Sequence, residues 1–372
     1  MSRIRILLAD AFLFPGGGQE KVVLQLLKLL DRNRFEVYFA TSDGSKIPAD
    51  IPQDVSIFRA GFNSKFDLNT CFKIRSIVKH HKIQVINVHG FRAALLIRLA
   101  YVFKKRVKIV YTGQVNYEQL KQFSKSWSNR FSIIIGNFLD AFATDSIVFV
   151  SDTNLGVRSK QKPKIDSNKM KVIYNGVNSA DFVVNEINKL ESPKKIIVTL
   201  SALVKRKGID VLIKAIKILT EKGVNGFEVR IGGDGPEKAN LTKLINSCRL
   251  GDKISLLGHV DKQQLLTVAD LFVLPTYSEG LPLSLIEAGL FNVPVIASAV
   301  DGIPEIIRHK QNGLLVNAGS AEELAASIQL LLQDQSMACK LAAALKRDAH
   351  AKFSEKIMVE KYTTLFENQM IS

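Results

Sequence analysis

The chain has 372 residues, of which 47% are hydrophobic and 23% charged, a composition typical of a folded protein with more than one domain. Its three cysteines are far apart, which excludes a disulfide framework or a cysteine metal site and favours a reduced, cytoplasmic protein. The formal net charge is +16, and residues 1–180 carry nearly all of the excess, with 28 Lys and Arg against 13 Asp and Glu.

The basic first half would attract phosphate groups of lipids or nucleic acids, or acidic polysaccharides. No zinc-finger spacing, basic heptad or aromatic RNA-binding signature accompanies the charge, so a nucleic-acid partner is not predicted. An anionic membrane surface or an anionic acceptor is favoured, with an ordinary basic surface as the alternative. No uncharged run reaches the roughly 18 residues that a membrane span needs. The apolar N-terminus indicates a buried strand and not a signal peptide.

Short apolar runs rich in β-branched residues alternate with helical patterns along the chain. In the first half they predict helices at 20–30 and 91–103 and strands at 4–9, 35–41, 55–60, 84–89, 107–112, 146–151 and 170–175. A polar stretch at 175–195 indicates a linker, after which strands are predicted at 195–203, 227–233, 253–258, 271–276 and 293–298. Strands that are apolar on both faces and separated by helices predict parallel sheets, and hence an α/β fold with two Rossmann-like domains in tandem.

The stretch EGLPLSLIE places two carboxylates, Glu279 and Glu287, around a predicted helix at 282–290 with Pro282 as its first residue. At about 1.5 Å per helical residue the carboxylates lie on the order of 10 Å apart, too far for a shared proton or one metal ion. A diphosphate flanked by hydroxylated sugars would fit between them, because a helix N-terminus offers free N–H groups, here those of Leu283, Ser284 and Leu285. The alternative is an amphipathic helix with one stray glutamate.

Several other turns between a strand and a helix have the composition of ligand-binding loops. Three glycines, Gly16 to Gly18, lie between the first strand and the first helix, where a backbone can approach a ligand closely. Lys205, Arg206 and Lys207 precede a helix that begins near Gly208, a place where cations oppose the helix dipole and an anion would explain them. GGDGP at 232–236 and DGIPEII at 301–307 add two similar turns.

Together these motifs resemble the retaining glycosyltransferases of family 4, which have the GT-B fold of two facing Rossmann-like domains with a cleft between them. The resemblance covers nearly the whole chain and ends in a segment, 352–369, that in this fold crosses back onto the first domain. It implies an N-terminal, acceptor-side domain of residues 1–178 with 354–372, and a nucleotide-sugar-binding domain of residues 179–353.

The resemblance also implies roles for individual residues. Glu279 would bind hydroxyls of the donor sugar, Glu287 would hold the ribose, and Lys207 would neutralise the departing diphosphate. The implied catalytic residues are Glu279, Lys207, Gln114 and His89, and no metal or other cofactor is expected because the chain has no Asp-x-Asp triplet. The implied donor-binding residues are Gly16, Gly17, Gly18, Arg206, Lys207, His259, Val260, Glu279, Gly280, Leu281, Leu283, Ser284 and Glu287.

The chain departs from the family pattern at two places. Ser201 and Ala202 stand where the family usually has Gly-Arg, so one of the two diphosphate cations of the family is missing. The hypothesis is that Lys205 or Arg206 substitutes for it. Gln114 stands where the family commonly has a histidine near the reacting sugar. His89 matches a family histidine, and contact with substrate and simple packing are equal alternatives for it.

The sequence therefore predicts a metal-independent, retaining hexosyl- or N-acetylhexosaminyltransferase that uses a UDP- or GDP-sugar. Its acceptor would be a membrane-associated glycan or lipid of cell-surface polysaccharide, lipopolysaccharide or glycolipid biosynthesis. The protein would lie in the cytoplasm, peripheral at the inner face of the membrane, with residues 116–139 as an amphipathic surface element. The alternative is a non-catalytic GT-B protein that binds a sugar nucleotide or glycan as an assembly partner, and a sugar-nucleotide epimerase is a further one.

Overall fold

The computed structural model describes residues 3–11, 18–64, 67–102, 107–114, 127–178 and 194–371. The chain divides into two compact units. The first, called here the N-terminal unit, consists of Met1–Gly176 and Glu355–Ser372, and the second, the C-terminal unit, is Val177–Ser354.

The N-terminal unit contains a parallel sheet with the strand order β3-β2-β1-β4-β5-β6-β7. Its strands are β1 Ile4–Asp10, β2 Phe35–Ser42, β3 Ser56–Gly61, β4 Val85–His89, β5 Lys108–Gly113, β6 Ser146–Phe149 and β7 Met170–Val172. Its helices are α1 Gly18–Leu29, α2 Leu68–His80, α3 Phe91–Tyr101, α4 Trp127–Phe142, α5 Asp152–Ser159 and, from the end of the chain, Glu355–Ile371.

Both faces of the central strands of this sheet are buried, as the apolar strands predict. On β1, Leu7 and its neighbours on one face pack in a core with α2 and α3. Leu8, on the opposite face, packs in a second core with α1 and the C-terminal helix, which contributes Tyr362 and Phe366. Alternate residues of one strand therefore supply two separate cores, which is the arrangement of a doubly wound sheet.

The C-terminal unit contains a second parallel sheet, with the order β10-β9-β8-β11-β12-β13. Its strands are β8 Lys195–Leu200, β9 Phe227–Gly232, β10 Ile254–Gly258, β11 Leu271–Leu274, β12 Val295–Ser298 and β13 Leu314–Val316. Its helices are α6 Ile209–Glu221, α7 Lys238–Ser247, α8 Lys262–Thr267, α9 Leu283–Leu290, α10 Ile303–Ile306, α11 Ala321–Gln333 and α12 Gln335–Lys352, which makes the C-terminal helix α13. Strand β13 was not predicted, because its three residues are too few to show a periodic pattern in the sequence.

The strand order reverses at one place in each sheet, between β1 and β4 in the N-terminal unit and between β8 and β11 in the C-terminal unit. The chain leaves the two strands at such a point in opposite directions, so their loops diverge and open a crevice at the carboxyl ends, where open α/β sheets bind ligands. No helix in the described part of the chain is both long and apolar enough to cross a membrane.

Candidate functional site

The two loops that follow β8 and β11 meet at the reversal point of the C-terminal sheet. The N–H of Tyr277 donates to the carbonyl of Arg206 at 2.8 Å, and the hydroxyl of Thr276 donates to the same carbonyl at 3.0 Å. Gly208 makes this approach possible, because a Cβ at its position would lie 2.0 Å from the carbonyl oxygen of Pro275, and its φ of +64° is one that glycine adopts without strain. The two loops are therefore held together by their main chains.

This junction brings two basic side chains onto one carboxylate. Lys207 Nζ forms an ion pair with Glu279 Oε1, and Arg206 Nη1 lies 3.6 Å from Glu279 Oε2. Arg206 also donates to the carbonyl of Ser278. Glu279 is 8% exposed, and the side chain of Lys207 retains 15% of its surface. Burial of these charges is tolerated because they are paired.

The predicted conflict between residues 205–207 and a helix dipole is resolved in two ways. These residues form a separate 3-10 turn, Lys205–Lys207, and α6 begins after Gly208. The carboxylate of Glu279 is the anion beside these cations, where a bound ligand was predicted. Lys205 is exposed, so Arg206 is the one of the two proposed replacement cations that reaches Glu279.

The helix between the two glutamates begins one residue later than predicted. Pro282 is the N-cap of α9, with φ −72° and ψ 111°, and not its first helical residue. The N–H of Leu285 donates to the carbonyl of Pro282 at 3.2 Å, so the prediction that this N–H is free was wrong. Leu283 and Ser284 occupy the first turn, and Gly280 and Leu281 are buried in the loop before it.

At the other end of the motif, Glu287 is 3% exposed within α9. Lys262, the first residue of α8, donates from Nζ to Glu287 Oε1 at 2.8 Å. Each glutamate of the motif therefore has a lysine partner from another element, Lys207 for Glu279 and Lys262 for Glu287.

His259 and Val260 lie in the turn between β10 and α8, where His259 is exposed. The neighbouring loop contains Asp234, whose pKa is lowered chiefly by a hydrogen bond from the N–H of Gly235 and then by Lys238 and the charge of His259. Asp234 is therefore ionised near neutral pH and adds a negative charge beside this turn.

In the N-terminal unit, His89 ends β4 and lies at the reversal point of its own sheet. Its Nε2 is 2.7 Å from Asn87 Oδ1, and Asn87 Nδ2 donates to the carbonyl of Val110 and to Thr112 Oγ1, each at 3.2 Å. Thr112 Oγ1 lies 3.1 Å from the hydroxyl of Tyr362 on α13. We call Asn87, His89, Thr112 and Tyr362 the histidine chain.

The histidine chain is enclosed by protein, since Asn87, His89 and Thr112 are 0% exposed. Burial lowers the pKa of His89 to about 3, so its ring is neutral near pH 7. Because Asn87 Oδ1 can only accept a hydrogen bond, we assign the ring proton to Nε2. His89 is thus a buried, neutral donor and not a base that titrates near neutral pH.

Gln114 and the glycines at 16–18 are the remaining predicted site residues. Gln114 and Asn175 exchange two side-chain hydrogen bonds, of 2.8 and 3.3 Å, and Asn175 is buried. Gly18 is the exposed first residue of α1, whereas Gly16 and Gly17 lie outside the described residues.

Sequence reasoning missed three partners of the predicted residues: Lys262, Asn175 and Asp301. Asp301 Oδ2 accepts a hydrogen bond of 2.9 Å from the N–H of Glu279. Nothing in the sequence around Lys262 or Asn175 indicated these contacts, because each residue meets its partner only when segments distant in sequence come together in the fold. The Asp-Gly pair at 301–302 did mark a turn after a buried strand.

Comparison with known proteins agrees with this arrangement. Residues 16–181 match the family described as Glycosyltransferase Family 4, and residues 184–351 match Glycosyl transferases group 1. The chain is 24% identical over 369 residues to the N-acetyl-alpha-D-glucosaminyl L-malate synthase of Bacillus anthracis, covering 94% of this chain and 93% of that one. Over a shorter region of 158 residues it is 34% identical to a GDP-mannose-dependent alpha-(1-6)-phosphatidylinositol monomannoside mannosyltransferase of Mycobacterium tuberculosis, covering 40% of this chain and 41% of that one.

Among solved structures, the Anabaena protein HepE in complex with UDP superposes with a TM-score of 0.81, at 20% identity, over 98% of this chain and all of that one. A likeness at this identity shows the fold alone. The two family matches together span residues 16–351 and include Lys207, Glu279 and Glu287. The chain belongs to the glycosyltransferases of family 4.

Proposed function

We propose that this glycosyltransferase transfers a sugar from a UDP- or GDP-sugar, with retention of configuration and without a metal ion. The observation that carries the proposal is the pairing of Lys207 and Arg206 with Glu279 at the reversal point of the C-terminal sheet. A charged cluster at the ligand-binding edge of such a sheet is suited to a charged, hydroxylated ligand.

Each group has a chemical task in this proposal. The carboxylate of Glu279 accepts hydrogen bonds from sugar hydroxyls, and the ammonium group of Lys207 neutralises negative charge on the diphosphate. The first N–H groups of α9 face the same anion. The acceptor hydroxyl attacks the anomeric carbon on the face that the diphosphate leaves, and its proton passes to the departing phosphate oxygen. Fixed positive charge stabilises the leaving group, a contribution typically worth about 3 kcal/mol.

The donor is to be identified by thermal-shift measurements with paired nucleotides and nucleotide sugars, because a ligand that binds only the folded state raises its melting temperature. UDP-glucose, UDP-N-acetylglucosamine and GDP-mannose form a suitable first panel. We expect one base to be preferred. Failure of every nucleotide and nucleotide sugar to shift the melting temperature would contradict the proposal.

Slow hydrolysis of the bound donor separates an enzyme from a non-catalytic binder. The replacements at Ala202 and Gln114, and the engagement of Gln114 with Asn175, are what favour the binder. An enzyme releases the free nucleotide over time without an acceptor, whereas a binder protects the nucleotide sugar. Release above the rate in buffer, lost in Lys207→Met, would support transfer.

We further propose that the acceptor is a membrane-associated lipid or glycan of polysaccharide or glycolipid biosynthesis. Four large apolar side chains on α4 are exposed by 52–63% of their surface and follow helical spacing: Phe131, Ile134, Phe138 and Phe142. On the inner side of the same helix Asp140 is buried between Arg98 and Arg158, which anchors α4 to its unit. An apolar stripe on a basic unit is suited to an anionic bilayer surface.

Vesicle flotation tests this part of the proposal. We expect binding to vesicles that contain phosphatidylglycerol, weaker binding at high salt, and little binding to phosphatidylcholine alone. Phe138→Ser should reduce binding, whereas Leu330→Ser, which removes an exposed apolar side chain from α11, should not. Equal reduction by both variants, or binding independent of lipid charge, would contradict the proposed membrane contact.

A further inference from the structure

Asp301 occupies a backbone conformation that favours glycine. It lies in the turn Val300–Ile303, which is closed by a 3.0 Å hydrogen bond from the N–H of Ile303 to the carbonyl of Val300. Asp301 has φ +47°, and Gly302 has φ −79° and ψ −2°. A turn with positive φ at its first central residue and negative φ at its second is of the type that prefers glycine first. The sequence instead places aspartate first and glycine second.

Three of the other non-glycine residues with positive φ in the described part of the chain have an evident local reason. Lys82, Arg249 and Asn292 each follow the end of a helix, where a left-handed residue commonly terminates it. In each case the next N–H closes the helix, as that of Val293 does on the carbonyl of Ala288 at 3.0 Å. Asp301 precedes a helix and terminates none, so its strain needs another explanation.

The side chain of Asp301 supplies that explanation. Its Oδ2 accepts a 2.9 Å hydrogen bond from the N–H of Glu279, a residue 22 positions earlier on the loop after β11. Asp301 itself belongs to the turn after β12, and β11 and β12 are paired in the sheet. Glycine at 301 would relax the turn but leave the N–H of Glu279 without this acceptor.

Glu279 is thus fixed from two directions. Its N–H is held by Asp301, and its carboxylate is held by Lys207 and faces Arg206. Residues held in strained conformations by their surroundings are characteristic of functional sites, because relaxed alternatives would lose the required geometry.

We propose that Asp301 is a positioning residue that sets the Glu279 main chain so that its carboxylate meets the sugar of the nucleotide-sugar donor. This inference rests on the proposed function. If Asp301 positions Glu279, loss of Asp301 should weaken binding of the sugar part of the donor. It should not change binding of the nucleotide part, which is assigned to the Glu287 end of the motif. A purely structural role of Asp301 does not predict this difference.

The test measures the Kd of a nucleotide divided by the Kd of its sugar derivative, for UDP with UDP-glucose and for GDP with GDP-mannose. This ratio is compared between the natural protein and its variants. Asp301→Gly relaxes the turn and removes the acceptor, so we expect no fall in melting temperature and a loss of about tenfold in this ratio. Asp301→Asn keeps an acceptor oxygen and tolerates positive φ, so its ratio should stay near that of the natural protein.

Lys310→Gly is the matched control, because Lys310 also has positive φ, at +62°, in an exposed turn of the same unit. It should leave the ratio unchanged. An unchanged ratio in Asp301→Gly, whatever its melting temperature, would overturn the inference, and so would an equal loss in Lys310→Gly. If the natural protein binds neither the nucleotides nor their sugar derivatives, the proposed function fails, and the role of Asp301 fails with it.

Discussion

The two sheets have the same strand order around their reversal points, yet the side chains that lie there differ in their partners and in their exposure. In the C-terminal unit the point carries charged groups, Lys207 and Glu279, which are paired across two loops. In the N-terminal unit it carries His89, at the end of β4 and opposite Asp10 at the end of β1. His89 is neutral, and so are the side chains of its hydrogen-bond partner Asn87 and of Thr112, to which Asn87 donates.

The difference in exposure shows what each arrangement can do. The side chains of Lys207 and Lys262 retain 15% and 33% of their surface, so a ligand can reach these charges. The histidine chain retains almost none, so its hydrogen bonds fix the ends of β4 and β5 against α13. The same topological position therefore supplies a candidate binding cluster in one unit and a rigid buried network in the other.

The largest expected effect is that of Glu279→Gln, which keeps the size of the side chain and removes its charge. Because the sugar hydroxyls would lose the charged acceptor that the proposal assigns to them, we expect donor hydrolysis to fall by about 100-fold. The measurement is nucleotide release from the nucleotide sugar that binds. Glu322→Gln, at an exposed position of α11, is the control and should be silent. A loss below threefold in Glu279→Gln would remove the basis of the comparison.

The next effect concerns stability and pH in the histidine chain. The pKa of His89 is lowered by burial from 6.5 to about 3, so between these values the unfolded chain binds one more proton than the folded protein. The contribution of buried, neutral His89 to the unfolding free energy is fully present above about pH 6.5. It is lost as the pH falls, so that the unfolding free energy is lower by about 2 kcal/mol at pH 5. We expect His89→Gln to flatten the pH dependence of the unfolding free energy over this range.

Urea unfolding at several pH values measures this slope, and His350→Gln, at an exposed position of α12, should leave it unchanged. The rate of donor hydrolysis should fall less in His89→Gln than in Glu279→Gln. If it falls as much, His89 acts on the reaction and the contrast between the two reversal points is wrong.

The smallest effect distinguishes the two ends of the glutamate motif. Lys262→Met removes the charged partner of Glu287, and we expect a loss of about tenfold in nucleotide affinity. The loss should be smaller for the 2′-deoxynucleotide, because Glu287 is assigned to the ribose. Lys214→Met, which breaks an exposed pair with Asp210, serves as the control. Equal losses for ribose and deoxyribose forms would contradict the assignment.

Much of the fold could be predicted from the sequence, because strand and helix patterns are local. Apolar runs such as 4–9 and 271–276 identified strands buried on both faces, and these predicted two parallel sheets. The short strand β13 was not predicted, because it has only three residues. The start of α9 was one residue off because Pro282 suits the N-cap as well as the first helical position.

The sequence alone also singled out Lys207, Glu279 and Glu287, since residue types around a strand-to-helix turn limit what the turn can bind. Only the tertiary structure decided their partners. Lys207 meets Glu279 across 72 positions because β8 and β11 are neighbours in the sheet, and Asp301 reaches Glu279 because β12 follows β11. Burial likewise decided that His89 is neutral. Periodicity along a chain carries no record of which strands become neighbours, so pairings between distant loops appear only once the sheet has formed.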